Sequence, residues 1–343
     1  MKKLQLLFII FFSYIAMLTG CGEGTGSVSS SVSEEVTQAE ESGHRRLTEE
    51  ERRKAEDEKH ISVYEKTIGV EGLEKDADIL FIADMHISLC DERDAQVLEK
   101  AVSRGSYMVD ADGRPSYQTF HEFIDYANTI EPDLLILGGD ILDSAMLASV
   151  DFLKSELETL NVPYMYVLGN HDFEYGAEYF SKKAYSKYRP RVTAVSGSKN
   201  GAHLFDVAGI HVFAADDANN QFTKEELKAF KKTLADGRPV LFVTHVPFEP
   251  DMGDASLLAK SVELFGLDAN GHSKALIGKN SVVPNDITKQ MMDLALSGDS
   301  PVFCVLAGHI HYEHEDMLTS DIPQIVADAA FRSRGVLLHL KRK

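Results

Sequence analysis

Basic residues are scarce in this chain: 35 Lys and Arg stand against 54 Asp and Glu, a net charge of −19 over 343 residues. Affinity for duplex DNA or RNA rests largely on basic surfaces that neutralise phosphates, so nucleic acid is disfavoured as the main partner. A small phosphorylated ligand stays open, because a local metal site can override the global charge. Cysteine is scarce as well, and three are too few for a disulfide-built scaffold. Only one long apolar run occurs, Leu4 to Leu18, interrupted by Gln5, Ser13 and Tyr14. At about 15 residues it is shorter than the roughly 20 that span a bilayer. With hydrophobic residues at 44% and charged residues at 26%, the rest has the make-up of a folded globular chain long enough to bury a sizeable core.

That apolar run has the order of an export signal. Met1-Lys2-Lys3 is a short basic start, the run follows, and it closes on Leu18-Thr19-Gly20-Cys21. This ending resembles the bacterial lipobox: a branched apolar residue, two small residues, then Cys. The resemblance implies a signal peptide over residues 1–20, lipidation of Cys21, and a mature protein anchored by lipid to a bacterial membrane, outside the cytoplasm. The alternative is an uncleaved N-terminal anchor, which places the body on the same side. Residues 21–60 begin Cys-Gly-Glu-Gly-Thr-Gly-Ser and become rich in Glu, Lys and Arg, with almost no large apolar residues. Such a segment cannot bury enough surface to offset its ordering entropy and reads as a flexible tether, transiently helical over Thr48 to Lys59.

From Ile61 on, short apolar runs recur at Asp78–Ala83, Leu134–Leu137, Tyr164–Leu168, Val240–Val243 and Val302–Leu306. Continuous apolar runs of this length predict strands covered on both faces. Helical spacing separates them. Phe120, Phe123, Ile124 and Ala127 share one face, and Leu147, Val150, Leu153, Leu157 and Leu160 share another. Thr223-Lys-Glu-Glu226 predicts a capping box opening a third helix, and Ile287, Met291 and Leu294 mark a fourth. Ala202 to Ala215 alternates around Ala208-Gly209 and predicts an antiparallel hairpin. Gly335 to Leu340 reads as a final strand. The chain is α/β, with one domain over residues 61–343.

Five short motifs fall at or just beyond the C-terminal ends of these runs: Asp84-Met85-His86, Gly138-Gly139-Asp140, Gly169-Asn170-His171-Asp172, Thr244-His245-Val246-Pro247 and Gly308-His309-Ile310-His311. Sites in open α/β sheets form outside the carboxyl ends of strands. The motifs supply oxygen and nitrogen donors and no thiolate, which disfavours a structural zinc site. Each residue alone has an ordinary reading: Asp84, Asp140 or Asn170 as a helix cap or turn residue, each His as a surface residue. Their ordered recurrence at strand ends is what sets them apart.

The set resembles the calcineurin-like metallophosphoesterase family, whose signature runs D-x-H, G-D, G-N-H-D/E, H, G-H-x-H in this order. The resemblance implies a four-layer α-β-β-α sandwich with the site at the strand C-termini. It also implies two divalent metal ions (Mn, Fe or Zn) that clamp a phosphate and share a hydroxide nucleophile. By the same resemblance Asp140 bridges the metals, Asp84, His86 and His311 complete one site, and Asn170, His245 and His309 complete the other. His171 faces the leaving group as the catalytic residue. Asp172 is expected to buttress His171 or a ligand, and Asp143 to cap a helix. Purple acid phosphatases carry a Tyr shortly after the bridging Asp; here Ile141-Leu142-Asp143 follows, which disfavours that branch.

The expected function is hydrolysis of phosphate esters, in a phosphorylated small molecule or an envelope phosphoester. The alternatives are a pyrophosphatase or nucleotidase of the same fold, or a non-catalytic binding lipoprotein. Two polar segments are candidates for substrate selection: residues 103–118, with Tyr107, Arg114 and Tyr117, and residues 249–284, with His272, Lys274 and Lys279. Cys304, inside an apolar run, reads as a buried thiol, and a disulfide to Cys90 is a lesser alternative.

Overall fold

The computed structural model describes residues 46–175, 182–197, 201–250 and 256–343. The export signal and Cys21 lie outside the described residues. No helix among the described residues is long and apolar enough to cross a membrane.

The strands are β1 (Ser62–Val70), β2 (Ala77–Ile82), β3 (Leu134–Leu137), β4 (Tyr164–Tyr166), β5 (Ala202–Val207), β6 (Ile210–Ala215), β7 (Val240–Val243), β8 (Val302–Ala307), β9 (His314–Met317), β10 (Pro323–Val326) and β11 (Arg334–Arg342). The helices are α1 (Glu49–Lys59), α2 (Leu98–Gly105), α3 (Ser116–Ile130), α4 (Leu147–Leu157), α5 (Lys182–Ser196), α6 (Lys224–Thr233), α7 (Ser256–Phe265) and α8 (Asp286–Ala295). One sheet has the order β1-β11-β2-β3-β4, with β2, β3 and β4 parallel. The other runs β5-β6-β7-β8-β10-β9, with β6, β7, β8 and β10 parallel.

The pleat sorts each apolar run into two cores. Ile79, Phe81, Leu134 and Ile136 point into the layer between the sheets, where they meet Val212, Ala214, Leu241 and Val243. Their neighbours Leu80, Ile82, Leu135 and Leu137 point outward against Phe120, Phe123 and Ile124 of α3 and Val150 and Leu153 of α4. On the far face, Phe213 and Phe242 pack against Phe230 of α6 and Met291 of α8. The result is the expected helix–sheet–sheet–helix order, and it explains why these runs are apolar without alternation. The hairpin turns at Ala208 and Gly209, both left-handed (φ 52° and 87°). Thr223 and Glu226 form the capping box that opens α6.

One expectation needs correction. Residues 48–59 are a packed helix and not part of a tether. Thr48 and Glu51 close a capping box, Ala55 is buried, Arg52 pairs with Glu65 of β1 at 3.0 Å, and Lys59 pairs with Asp125 of α3 at 2.9 Å. Almost none of this docking is apolar, so hydrophobic periodicity could not reveal it. Cys90 and Cys304 are both free; Cys304 points into the layer between the sheets, whereas Cys90 packs against the outer core.

Candidate metal centre

The parallel pairing of β2 with β3 continues past the strand ends. Asp84 N–H donates to the Gly139 carbonyl and His86 N–H to the Asp140 carbonyl, both at 2.9 Å. The same holds in the second sheet, where Gly308 N–H donates to the His245 carbonyl at 3.0 Å. Two bonds tie the sheets together at this point: His309 N–H to Asp84 Oδ2 at 2.7 Å, and His245 Nδ1 to the Gly138 carbonyl at 2.9 Å. Four motifs meet at this seam, and His171 N–H, which donates to Asp140 Oδ1 at 2.7 Å, brings in the fifth.

Within the motifs the backbone takes an uncommon turn. Asp84, His86, Asp140, His309 and His311 all have positive φ, between 50° and 72°. Left-handed backbone is rare for residues with a side chain, though Asp and His tolerate it better than most, and it clusters at functional sites. Here it brings residues two apart, Asp84 with His86 and His309 with His311, to one centre. Glycine is required where the chains approach: a Cβ on Gly139 (φ 94°) would collide with the His245 ring, and one on Gly169 with Asp140 Oδ1.

Three groups of donors lie close enough to hold an ion, and two of them share no residue: Asp84, His86 and His311 form one, and Asp140, His245 and His309 the other. In the third, His86 and Asp143 with His171, the His86 and Asp143 side chains are already bonded to each other. Asp140 Oδ2 lies 3.3 Å from His245 Nε2 and 3.9 Å from His86 Nε2, between the two groups. Asp84 Oδ1, Asn170 Oδ1 and His245 Nε2 are buried without hydrogen-bond partners. Buried polar atoms of a native fold are normally satisfied, and three orphans of ligand type converging here fit a cation. His86 gives the same sign. Its Nδ1 donates to Asp143 Oδ1 at 3.2 Å, which leaves a lone pair on Nε2, 3.0 Å from His311 Nε2. The residues present fit two divalent cations.

Electrostatics agree with that fit. Burial holds the His309 pKa down to about 3, leaving a neutral imidazole able to ligate. Burial also opposes a charged His245, but the facing Asp140 and Asp84 carboxylates outweigh it and raise its pKa. Burial would raise the Asp140 carboxyl, yet the surrounding imidazoles, His245 foremost, hold it well below the usual range.

Asp172 holds a ligand, Asp140, through that ligand's backbone. It accepts the backbone N–H of Asp140, Leu142 and Gly169 and the Tyr166 hydroxyl, and so clamps two ligand loops together. Asp143 caps no helix, since Met146 precedes α4. Its carboxylate orients His86 and pairs with Arg104 through Nε at 3.0 Å. Asp217, which no motif marked, is fully buried and accepts the backbone N–H of His245 and Val246. Its one sequence signal was its position just past an apolar run.

A cleft of roughly 530 Å³ opens beside the centre, lined by Asn170, His171, Asn219, Asn220, Phe265, Lys274, Ala275 and His309. Of the three expected substrate residues Lys274 lines it; His272 and Lys279 do not. Residues 103–118 do not line it either: Arg114 pairs with Asp110, Tyr117 packs against the outer core and Tyr107 points to solvent.

Residues 77–313 match the calcineurin-like phosphoesterase family. The chain belongs to that family. A protein of Moraxella catarrhalis named as a probable cyclic nucleotide phosphodiesterase is 38% identical over 58 residues, 17% of this chain and 21% of that one. One of Fibrobacter succinogenes with a similar name is 26% identical over 125 residues, 34% of this chain and 42% of that one. Among solved structures, a dimetal phosphatase from Danio rerio is 14% identical, with a TM-score of 0.46 covering 75% of this chain and 88% of that one.

Asp140→Asn should be the most damaging single ligand change, because it weakens both metal groups. Elemental analysis should find about two divalent ions per wild-type chain and a loss of both in the variant. A variant that loses only one would refute the bridging position.

Proposed function

We propose that this protein is a lipid-anchored, extracytoplasmic hydrolase of small phosphate esters that works through two divalent cations. The observation that carries the reading is the convergence of unpartnered buried donors, Asp84 Oδ1, Asn170 Oδ1 and His245 Nε2, around Asp140. Cations bound there would polarise phosphoryl oxygens and lower the pKa of a water to near neutrality. Neutral imidazole and amide ligands leave much of the cation charge uncompensated, which suits an anionic ligand. The curated relatives are named for phosphodiester hydrolysis, and this makes a phosphodiester the leading substrate class. A panel of phosphomonoesters, phosphodiesters and nucleotides with manganese, iron or zinc tests the activity; no hydrolysis of any would refute it.

His171 supplies the proton to the leaving group. Its ring lines the cleft, its buried Nδ1 edge faces the protein, and it is not needed to complete either ligand group. A positioned acid contributes about 10²–10⁴-fold where the leaving oxygen is poor. His171→Ala should retain both metals and lose far more rate on alkyl esters than on nitrophenyl esters, whose leaving group departs without a proton. Equal losses, with chemistry rate-limiting in both, would refute the role.

Lys274 is an exposed cation on the cleft wall and draws the phosphate in. Lys274→Ala should raise KM for charged esters with metal content unchanged, while Lys279→Ala leaves KM as it was. Steady-state kinetics on both variants check this.

The order of basic start, apolar run, small residues and Cys21 supports the anchor. Cys21→Ser should release the protein from membranes or leave an uncleaved precursor. Normal processing and unchanged fractionation would exclude a lipid anchor at this position.

A further inference from the structure

Glu174 lies two residues beyond the Asn170 motif, and the chemistry above leaves it unused. The residue is 1% exposed, and neither carboxylate oxygen has a hydrogen-bond partner. A buried carboxyl in that state loses its hydration with nothing in return. The ring edge of His171 lies beside it, with Nδ1 3.4 Å from Glu174 Oε2. That nitrogen is itself buried and unpartnered.

A second carboxylate stands near the same nitrogen, Asp143 Oδ1 at 3.7 Å. Asp143 is already engaged. Oδ1 accepts from His86 Nδ1, and both its oxygens face the Arg104 guanidinium. Two acids thus flank one imidazole edge, and Glu174 is the closer and the one with unfilled acceptor sites. Its backbone cannot drift away. Glu174 N–H donates to the His171 carbonyl at 3.0 Å, and the Glu174 carbonyl accepts from Ala145 N–H at 3.0 Å and from the Ser144 hydroxyl at 2.7 Å. The residue is pinned between the two loops that carry His171 and Asp143.

We propose that Glu174 is the positioning residue of His171: it accepts the Nδ1 proton and holds the Nε2 edge toward the cleft. Asp143 is thereby left to orient His86. The inference rests on the reading of His171 as proton donor. No bond breaks in the pairing itself; a small rotation closes 3.4 Å to an ordinary hydrogen bond, and such contacts commonly tighten when substrate binds.

Kinetics of Glu174→Gln, His171→Ala and the double variant, all loaded with metal, test it on an alkyl and a nitrophenyl ester. Glu174→Gln should keep both metals, leave KM unchanged and lower kcat on the alkyl ester roughly 10- to 100-fold, with far less loss on the nitrophenyl ester. In the His171→Ala background the same change should cost nothing more. Full alkyl-ester activity in Glu174→Gln, or the same loss in both backgrounds, would overturn the proposal. Equal losses on the two esters in His171→Ala would instead remove the proton-donor reading, while the cycle still reports whether Glu174 acts through His171. A measurement on the unmodified chain needs no variant to fold. In the zinc-loaded protein, ¹⁵N spectra of the neutral His171 ring should show the proton on Nδ1; a proton on Nε2 alone would overturn the proposal.

Discussion

The centre depends on keeping Asp140 ionised while burying it almost completely. A carboxylate out of water is costly unless it is paired and hydrogen-bonded. Asp140 meets both conditions. His171 N–H donates to Oδ1 at 2.7 Å, and the His245 and His86 rings face Oδ2. Its own N–H is taken by Asp172. Because those partners come from both sheets, the requirement of one side chain locks the two sheets together at their C-terminal ends.

Strain is spent to meet that requirement. Five residues of the D-x-H, G-D and G-H-x-H motifs sit in left-handed backbone, each at a cost of order 1–3 kcal/mol. Such a conformation persists only where the surroundings over-determine it. Asp172 gathers three backbone N–H groups around the Asp140 and Gly169 loops, and Asp217 gathers those of His245 and Val246. Below them, the strand ends are packed on both faces. The rigid layers provide the stability, and the loops at their ends use it to hold an unfavourable geometry.

The same arrangement reconciles an acidic chain with an anionic ligand. The net charge of −19 is a global property, whereas the cleft wall is made of amides, imidazoles, an aromatic ring and the Lys274 ammonium. None of the described residues lining the cleft is acidic. Two nearby acids outside the ligand groups are engaged elsewhere, Asp143 with His86 and Arg104 and Asp172 with backbone amides.

The residue types and their order were enough to read the layered α/β architecture and the motifs that make up the centre. Doubly covered strands leave unbroken apolar runs, and sites in such folds gather at strand ends, so both signals are local. The roles of Asp143, Asp217, Arg104 and Glu174 were not legible. Each acts through a partner distant in the chain or through burial, and neither leaves a periodic trace. The docking of α1 escaped for the same reason, since ion pairs to β1 and α3 hold it and not an apolar face. Sequence alone determined which atoms could bind a cation. Only the tertiary structure decided which would be left without a partner, because that depends on every neighbour that folding brings within hydrogen-bond reach.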